Sequence, residues 1–193
     1  MYRVMNYSNI ILIFLCNSIL LCSGISFDPL HLNDKSRSSI ERVGDFLQIG
    51  LPLAGLSITK YHKDSSGTAQ FWKSFLSSNL TTFLLKIIID KERPNGHCCE
   101  SFPSGHTTAA FSGAMFIHQR YGGEYGIPSL LLASFVGYSR VYAKKHYWID
   151  VFCGAAIGIL GNIIYTERSD IKLNSFNFIK MKDGFEVNVR YPL

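Results

Sequence analysis

Ser139-Arg140-Val141-Tyr142-Ala143-Lys144-Lys145-His146-Tyr147-Trp148-Ile149-Asp150 closes one apolar segment of the chain and opens the next. An Arg and two Lys lead into a His, and a carboxylate follows four residues later. With a helix starting near the His, positions i and i+4 share a face, so Asp150 can accept a hydrogen bond from the His146 ring. Such a bond fixes the tautomer and presents the other ring nitrogen as a nucleophile or base. The preceding cations would hold an anion in front of that nitrogen. Alone, a His and an Asp at this spacing are more often a surface pair than a catalytic dyad.

Around this stretch the chain is a series of apolar segments, at about 45–61, 70–90, 104–120, 127–143 and 148–166. Most are too long for buried strands, and short polar connections separate them. Ser104 and Pro128 stand near segment starts, where an N-cap or a first-turn proline belongs. Gly154-Ala155-Ala156-Ile157-Gly158 puts small residues at i and i+4, which allows close helix contact. The expected fold is all-α, a bundle of five to six helices spanning residues 45–168. Residues 1–24 carry Arg3, an apolar run and Cys22-Ser23-Gly24, the pattern of a signal peptide or an N-terminal anchor helix. Residues 25–44 read as a polar exported linker. In the tail, 169–193, alternating residues flank Lys182-Asp183-Gly184, a hairpin signal for a ribbon that should pack on the bundle or a partner.

The 193 residues suit one domain, 47% of them hydrophobic, with a net charge of +5. The basic residues are scattered, with no basic-aromatic stripe, which argues against a nucleic-acid partner. Five Cys show no C-x-x-C and match no zinc ligand set. Gly96-His97-Cys98-Cys99 therefore reads as a loop with two thiols, or with one bridged to Cys153, rather than as a metal site.

Helices of about 16–20 residues reach about 24–30 Å, the thickness of a bilayer core. Several segments carry polar interruptions, at Gln48, Lys73, Ser77-Ser78-Asn79, Thr81-Thr82 and Lys86. Those residues suit the interior of a membrane bundle and equally a soluble one. With residue 25 exported, alternating crossings leave 91–103 and 140–147 on the outer side. The balance favours the membrane, with the chemistry facing outward.

Two further motifs join the opening stretch. Lys86 and Arg93-Pro94 bracket a helix end, placing two cations where they could grip one phosphate. Pro103-Ser104-Gly105-His106 begins a helix, whose N-terminal N–H groups make an anion site with a His beside it.

Together, Lys86 with six residues before Arg93-Pro94, Pro103-Ser104-Gly105-His106, and Ser139-Arg140 with five residues before His146 and three more before Asp150 resemble the type 2 phosphatidic acid phosphatase and vanadium haloperoxidase superfamily. The matching block runs from about 86 to 150. The resemblance implies His146 as nucleophile through a phosphohistidine, Asp150 orienting it, and His106 as general acid. It implies that Lys86, Arg93, Arg140, Ser104 and the Gly105 N–H bind the phosphoryl oxygens, without metal or cofactor. The implied enzyme is a phosphatase for a membrane lipid phosphate such as phosphatidic acid, phosphatidylglycerol phosphate, undecaprenyl diphosphate or lipid A, acting at the outer face of the cytoplasmic membrane. A soluble periplasmic acid phosphatase of broad specificity is the alternative. A vanadium haloperoxidase and a non-catalytic phosphate-binding membrane protein carry less weight.

Overall fold

Ser38 opens the bundle, its hydroxyl accepting the Glu41 N–H at 3.2 Å and so capping the first helix. The computed structural model describes residues 38–96 and 99–170, together with the backbone of 175–181 and 184–190. The signal-or-anchor segment and the linker up to residue 37 lie outside the described residues. Helix α1 runs Ser39–Tyr61, six residues earlier than the hydropathy pattern suggests. Residues 39–44 thus belong to the bundle and not to the linker. Their polar character reflects the face they turn to the site, where Glu41 and Gly44 are buried.

Four more helices follow: α2 Ser65–Ile89, α3 Gly105–Tyr121, α4 Gly123–Tyr142 and α5 Trp148–Tyr165. The expected all-α bundle is present, with five helices among the described residues. Strand β1 (Ser175–Met181) pairs antiparallel with β2 (Gly184–Arg190), from Ser175 opposite Arg190 to Met181 opposite Gly184. The hairpin expected from the Asp-Gly signal therefore forms; where its faces pack lies outside the described side chains.

Helix α3 is the axis, in contact with α1, α2, α4 and α5. Its sequence explains this position, because Gly, Ala, Ser and Thr dominate it and let neighbouring backbones approach. A Cβ on Gly113 would sit 2.5 Å from the backbone nitrogen of Pro52 on α1. On α5, Cβ atoms added to Gly154 and Gly158 would lie 2.5 Å from the Ser104 carbonyl and 2.8 Å from the Thr108 carbonyl. The small-residue pair noted in the sequence thus seats α5 directly on α3.

Apolar clusters around Phe71, Phe75 and Phe116 and around Leu51 and Val136 share the interior with many polar side chains, while much of the outside is apolar. Gln48, Ser78, Asn79, Thr82, Lys86, Thr108 and Asn162 are buried. Many of these polar groups are satisfied within the bundle, as when Asn162 donates to the Ser112 carbonyl and Thr82 meets Thr108. Ile88, Leu131, Phe152 and Ile164 are instead exposed, at 76%, 68%, 63% and 69%. Of the polar interruptions, Lys73 and Thr81 face outward rather than inward. One helix among the described residues, Trp148–Tyr165, is long and apolar enough to cross a membrane by length and composition.

Because successive helices alternate in direction, the starts of α1, α3 and α5 meet the ends of α2 and α4. The opposite end is closed by Asp64, which caps α2 through the Gly67 N–H and takes two bonds from Arg120 at 2.8 and 2.7 Å and one from Tyr121 at 2.9 Å.

Candidate active site

His146 occupies the connection between α4 and α5 and is buried, with 4% of its surface exposed. Its Nδ1 lies 2.7 Å from the carbonyl oxygen of Ser101. Asp150 Oδ2 stands 3.8 Å from the same nitrogen, beyond hydrogen-bond range. The bond that the i,i+4 spacing assigned to Asp150 is therefore made by a backbone carbonyl. A carbonyl can only accept, so Nδ1 carries the proton and Nε2 keeps its lone pair. Burial holds the His146 ring below the ordinary histidine range, and the charges of Lys86 and Arg93 push the same way, against Asp150 and the Ser101 carbonyl.

Asp150 is engaged elsewhere. Its carboxylate accepts from Lys91 Nζ at 2.7 Å, Ser101 Oγ at 2.6 Å and the Tyr147 N–H at 2.9 Å. The last bond belongs to a reciprocal cap at the start of α5. Asp150 thus holds Ser101, and Ser101 holds His146. Lys91 also lies over the Tyr147 ring, 4.4 Å from its centroid.

The loop from 90 to 104 carries the remaining groups. Lys86 Nζ donates to the Glu100 carbonyl, and Arg93 Nε donates to the Cys99 carbonyl at 3.3 Å. The Ser101 N–H returns to the Lys91 carbonyl at 2.8 Å, drawing the loop closed. Cys99 is in a disulfide, whereas Cys153 is free, so the bridge to Cys153 considered from the sequence does not form. His97 and Cys98 lie outside the described residues. Among the described residues no cluster of His, Cys, Asp or Glu is arranged to hold a metal ion.

Ser104 caps α3, accepting from the Thr107 N–H at 3.4 Å and its hydroxyl at 2.9 Å. A hydroxyl that accepts twice still has its own hydrogen to offer an anion. The Ser104 N–H donates to the Asp150 carbonyl at 2.9 Å, joining the start of α3 to that of α5. Gly105 and His106 then supply the first-turn N–H groups, which the helix leaves for an outside acceptor.

Arg140, at the end of α4, is wholly buried. It donates to Asp45 Oδ1 at 2.7 Å, the Glu41 carbonyl at 2.9 Å and Ser139 Oγ at 3.1 Å. The same Asp45 oxygen stands 3.3 Å from His106 Nε2. Glu41 pairs with Lys145, one of the two lysines that precede His146, so that lysine is held by a carboxylate.

All eight residues singled out in the sequence thus gather at one end of the bundle: Lys86, Arg93, Ser104, Gly105, His106, Arg140, His146 and Asp150. Four others join them unannounced. Lys91 lies inside the first motif, where its spacing could have raised attention. Ser101 acts partly through its carbonyl, which side-chain reading does not see. Glu41 and Asp45 come from a helix whose first residues read as linker. Chemically, the end holds two imidazoles, the cations Lys86, Arg93 and Arg140 beside Lys91 and Lys145, and a helix N-terminus, a set able to bind and cleave a phosphoester.

The PAP2 superfamily model matches residues 67–169. Over 105 residues the chain is 36% identical to the lipid A 1-phosphatase of Porphyromonas gingivalis, covering 49% of this chain and 24% of that protein. Over 140 residues it is 29% identical to the lipid A 4'-phosphatase of Helicobacter pylori, covering 67% of this chain and 70% of that protein. Lipid phosphate phosphatase 2 of Arabidopsis thaliana is 34% identical over 124 residues, 53% of this chain and 42% of that protein. The match therefore spans about a quarter of the first relative's length and under half of the third's. The crystal structure of Aquifex aeolicus LpxE shares the fold, with a TM-score of 0.57 and 23% identity over 78% of this chain and 93% of that one.

Proposed function

The chain belongs to the PAP2 superfamily, and on that premise we propose that it is a metal-independent phosphatase for a phosphate monoester or diphosphate carried by a membrane lipid. The observation that carries this reading is His146, held as a neutral imidazole by the Ser101 carbonyl with Lys86 and Arg93 acting on it. His146 Nε2 attacks phosphorus while His106 protonates the departing oxygen, so the N–P bond forms as the P–O bond breaks. Water then attacks the phosphohistidine, gives its proton to His106 and releases inorganic phosphate. Lys86, Arg93, Arg140, Ser104 and the Gly105 N–H bind the phosphoryl oxygens, where charge grows in the transition state. The named relatives act on lipid A and lipid phosphates, which supports a lipid substrate. The exposed apolar residues and polar interior support a bundle embedded in a membrane. Its placement in the cytoplasmic membrane with the site on the outer face rests on the alternation of crossings after an exported residue 25.

Purified protein in detergent should release phosphate from one or more of phosphatidic acid, phosphatidylglycerol phosphate, undecaprenyl diphosphate and lipid A, undiminished by a chelator. An alkaline quench during turnover of a labelled ester should leave base-stable, acid-labile label on His146. Strict metal dependence, or no label in a rapid-quench series, would overturn the mechanism. Extraction from washed membranes by salt without detergent would overturn the embedding.

A further inference from the structure

Asp45 reaches the site from α1, outside the segment that the family model matches. One of its oxygens stands between two groups of the proposed machinery, 2.7 Å from Arg140 Nη1 and 3.3 Å from His106 Nε2. Its side chain is 29% exposed whereas that of Arg140 is wholly buried. Asp45 therefore sits at the open side of the guanidinium. The contact is built rather than incidental, because a Cβ on the adjacent Gly44 would clash with Ser139 Oγ and lie 2.8 Å from Ser139 Cβ and 2.9 Å from Arg140 Nη2. Only a glycine lets α1 come close enough to deliver the carboxylate.

We propose that Asp45 is a positioning residue for His106. It fixes the orientation of the imidazole against Arg140 and offsets part of the cost that burial and the Arg140 charge place on the protonated ring that must serve as general acid. A carboxylate one hydrogen bond from an imidazole favours the imidazolium. Arg140, shared by the same oxygen, keeps that carboxylate ionised and in place. This role rests on the phosphatase reading, since it concerns the proton that His106 gives to the leaving oxygen.

The test is the dependence of rate on the leaving group. Full-length wild type, Asp45→Asn and Asp45→Glu would be assayed in detergent with 2,4-dinitrophenyl, p-nitrophenyl and phenyl phosphates. A leaving group that is already a weak base needs little help from an acid. Asp45→Asn should lower kcat on phenyl phosphate by about 10²-fold and on the dinitrophenyl ester by far less. Asp45→Glu keeps a charge for Arg140, so it preserves the fold while displacing the carboxylate from His106, and should show the same selective loss in smaller measure. A uniform loss across the series in either variant, or no loss in both, would overturn the role and leave only a structural link to Arg140. Wild type that cleaves none of these esters and no lipid phosphate would instead overturn the phosphatase reading itself.

Discussion

His146 donates its Nδ1 proton to the Ser101 carbonyl at 2.7 Å, so the ring's tautomer is held by the main chain. The Asp150 carboxylate lies one residue further out, bonded to the Ser101 hydroxyl at 2.6 Å.

From this arrangement, Asp150→Asn should damage turnover less than His146→Ala. The carbonyl still fixes the tautomer when the carboxylate is gone, whereas loss of the imidazole removes the proposed nucleophile. We expect His146→Ala to lower kcat on the order of 10⁴-fold or more with the fold intact, and Asp150→Asn to retain measurable activity. Steady-state kinetics with circular dichroism on both variants checks this, and equal losses would return Asp150 to direct contact.

The acid limb of the pH profile follows from the direction in which His146 is shifted. Burial lowers its proton affinity, so the ring stays neutral and nucleophilic as pH falls through the ordinary histidine value of about 6.5. Activity should hold at pH 6 and fall only at lower pH, where the ring finally protonates. A plot of kcat/KM against pH that already declines above pH 6.5 would contradict the assignment.

At the far end of the bundle, Arg120→Met should destabilise without touching the chemistry. Asp64 and Arg120 are both nearly buried, so removing one partner strands the other charge, at a cost of about 3–5 kcal/mol. The Arg120 bond holds the Asp64 carboxylate down at about 2. The contribution of Asp64 is therefore complete above the ordinary carboxylate value of about 4 and disappears as pH falls toward 2. Thermal melts of the variant at pH 7, beside phosphate inhibition constants, would show a lowered Tm with unchanged binding.

Gly154→Val tests the seat of α5 on α3. Its Cβ would collide with the Ser104 carbonyl, 2.5 Å away in the backbone that begins α3. The strain should cost about 1–3 kcal/mol and displace Ser104 and His106 relative to Asp150. Stability and kcat should therefore fall together. A stable, fully active variant would show that the close approach is dispensable.

Much of the site could be read from the chain because its chemistry sits in short motifs at helix ends. The family resemblance carried by three such motifs implied that Lys86, Arg93, Ser104, Gly105, His106, Arg140, His146 and Asp150 meet at one site. Helix positions were legible too, since long apolar runs and the Gly154–Gly158 pair have direct packing consequences. What escaped was of two kinds. The Ser101 carbonyl is a backbone group whose place depends on how the loop from 90 to 104 closes. Glu41 lies far upstream in a polar stretch that hydropathy alone assigns to a linker, Asp45 stands at the first position of the apolar segment that follows, and only the packing of α1 on α4 brings them to Arg140. The direct His146–Asp150 bond failed for a related reason: the α5 cap and Lys91 claim the carboxylate first.

The apolar outside and partly polar interior of the bundle bear on its thermodynamics. Unfolding a water-soluble domain bares apolar side chains to water and raises the heat capacity by about 12–15 cal/mol/K per residue. Here Ile88, Leu131, Phe152 and Ile164 are already on the outside, while Ser78, Thr82, Thr108 and Asn162 are buried beside the apolar clusters. Inside a bilayer or micelle, opening such a bundle would uncover hydroxyls and amides and hydrate little new hydrocarbon. Its stability curve should accordingly be nearly straight with temperature, with cold denaturation driven far below the freezing point of water.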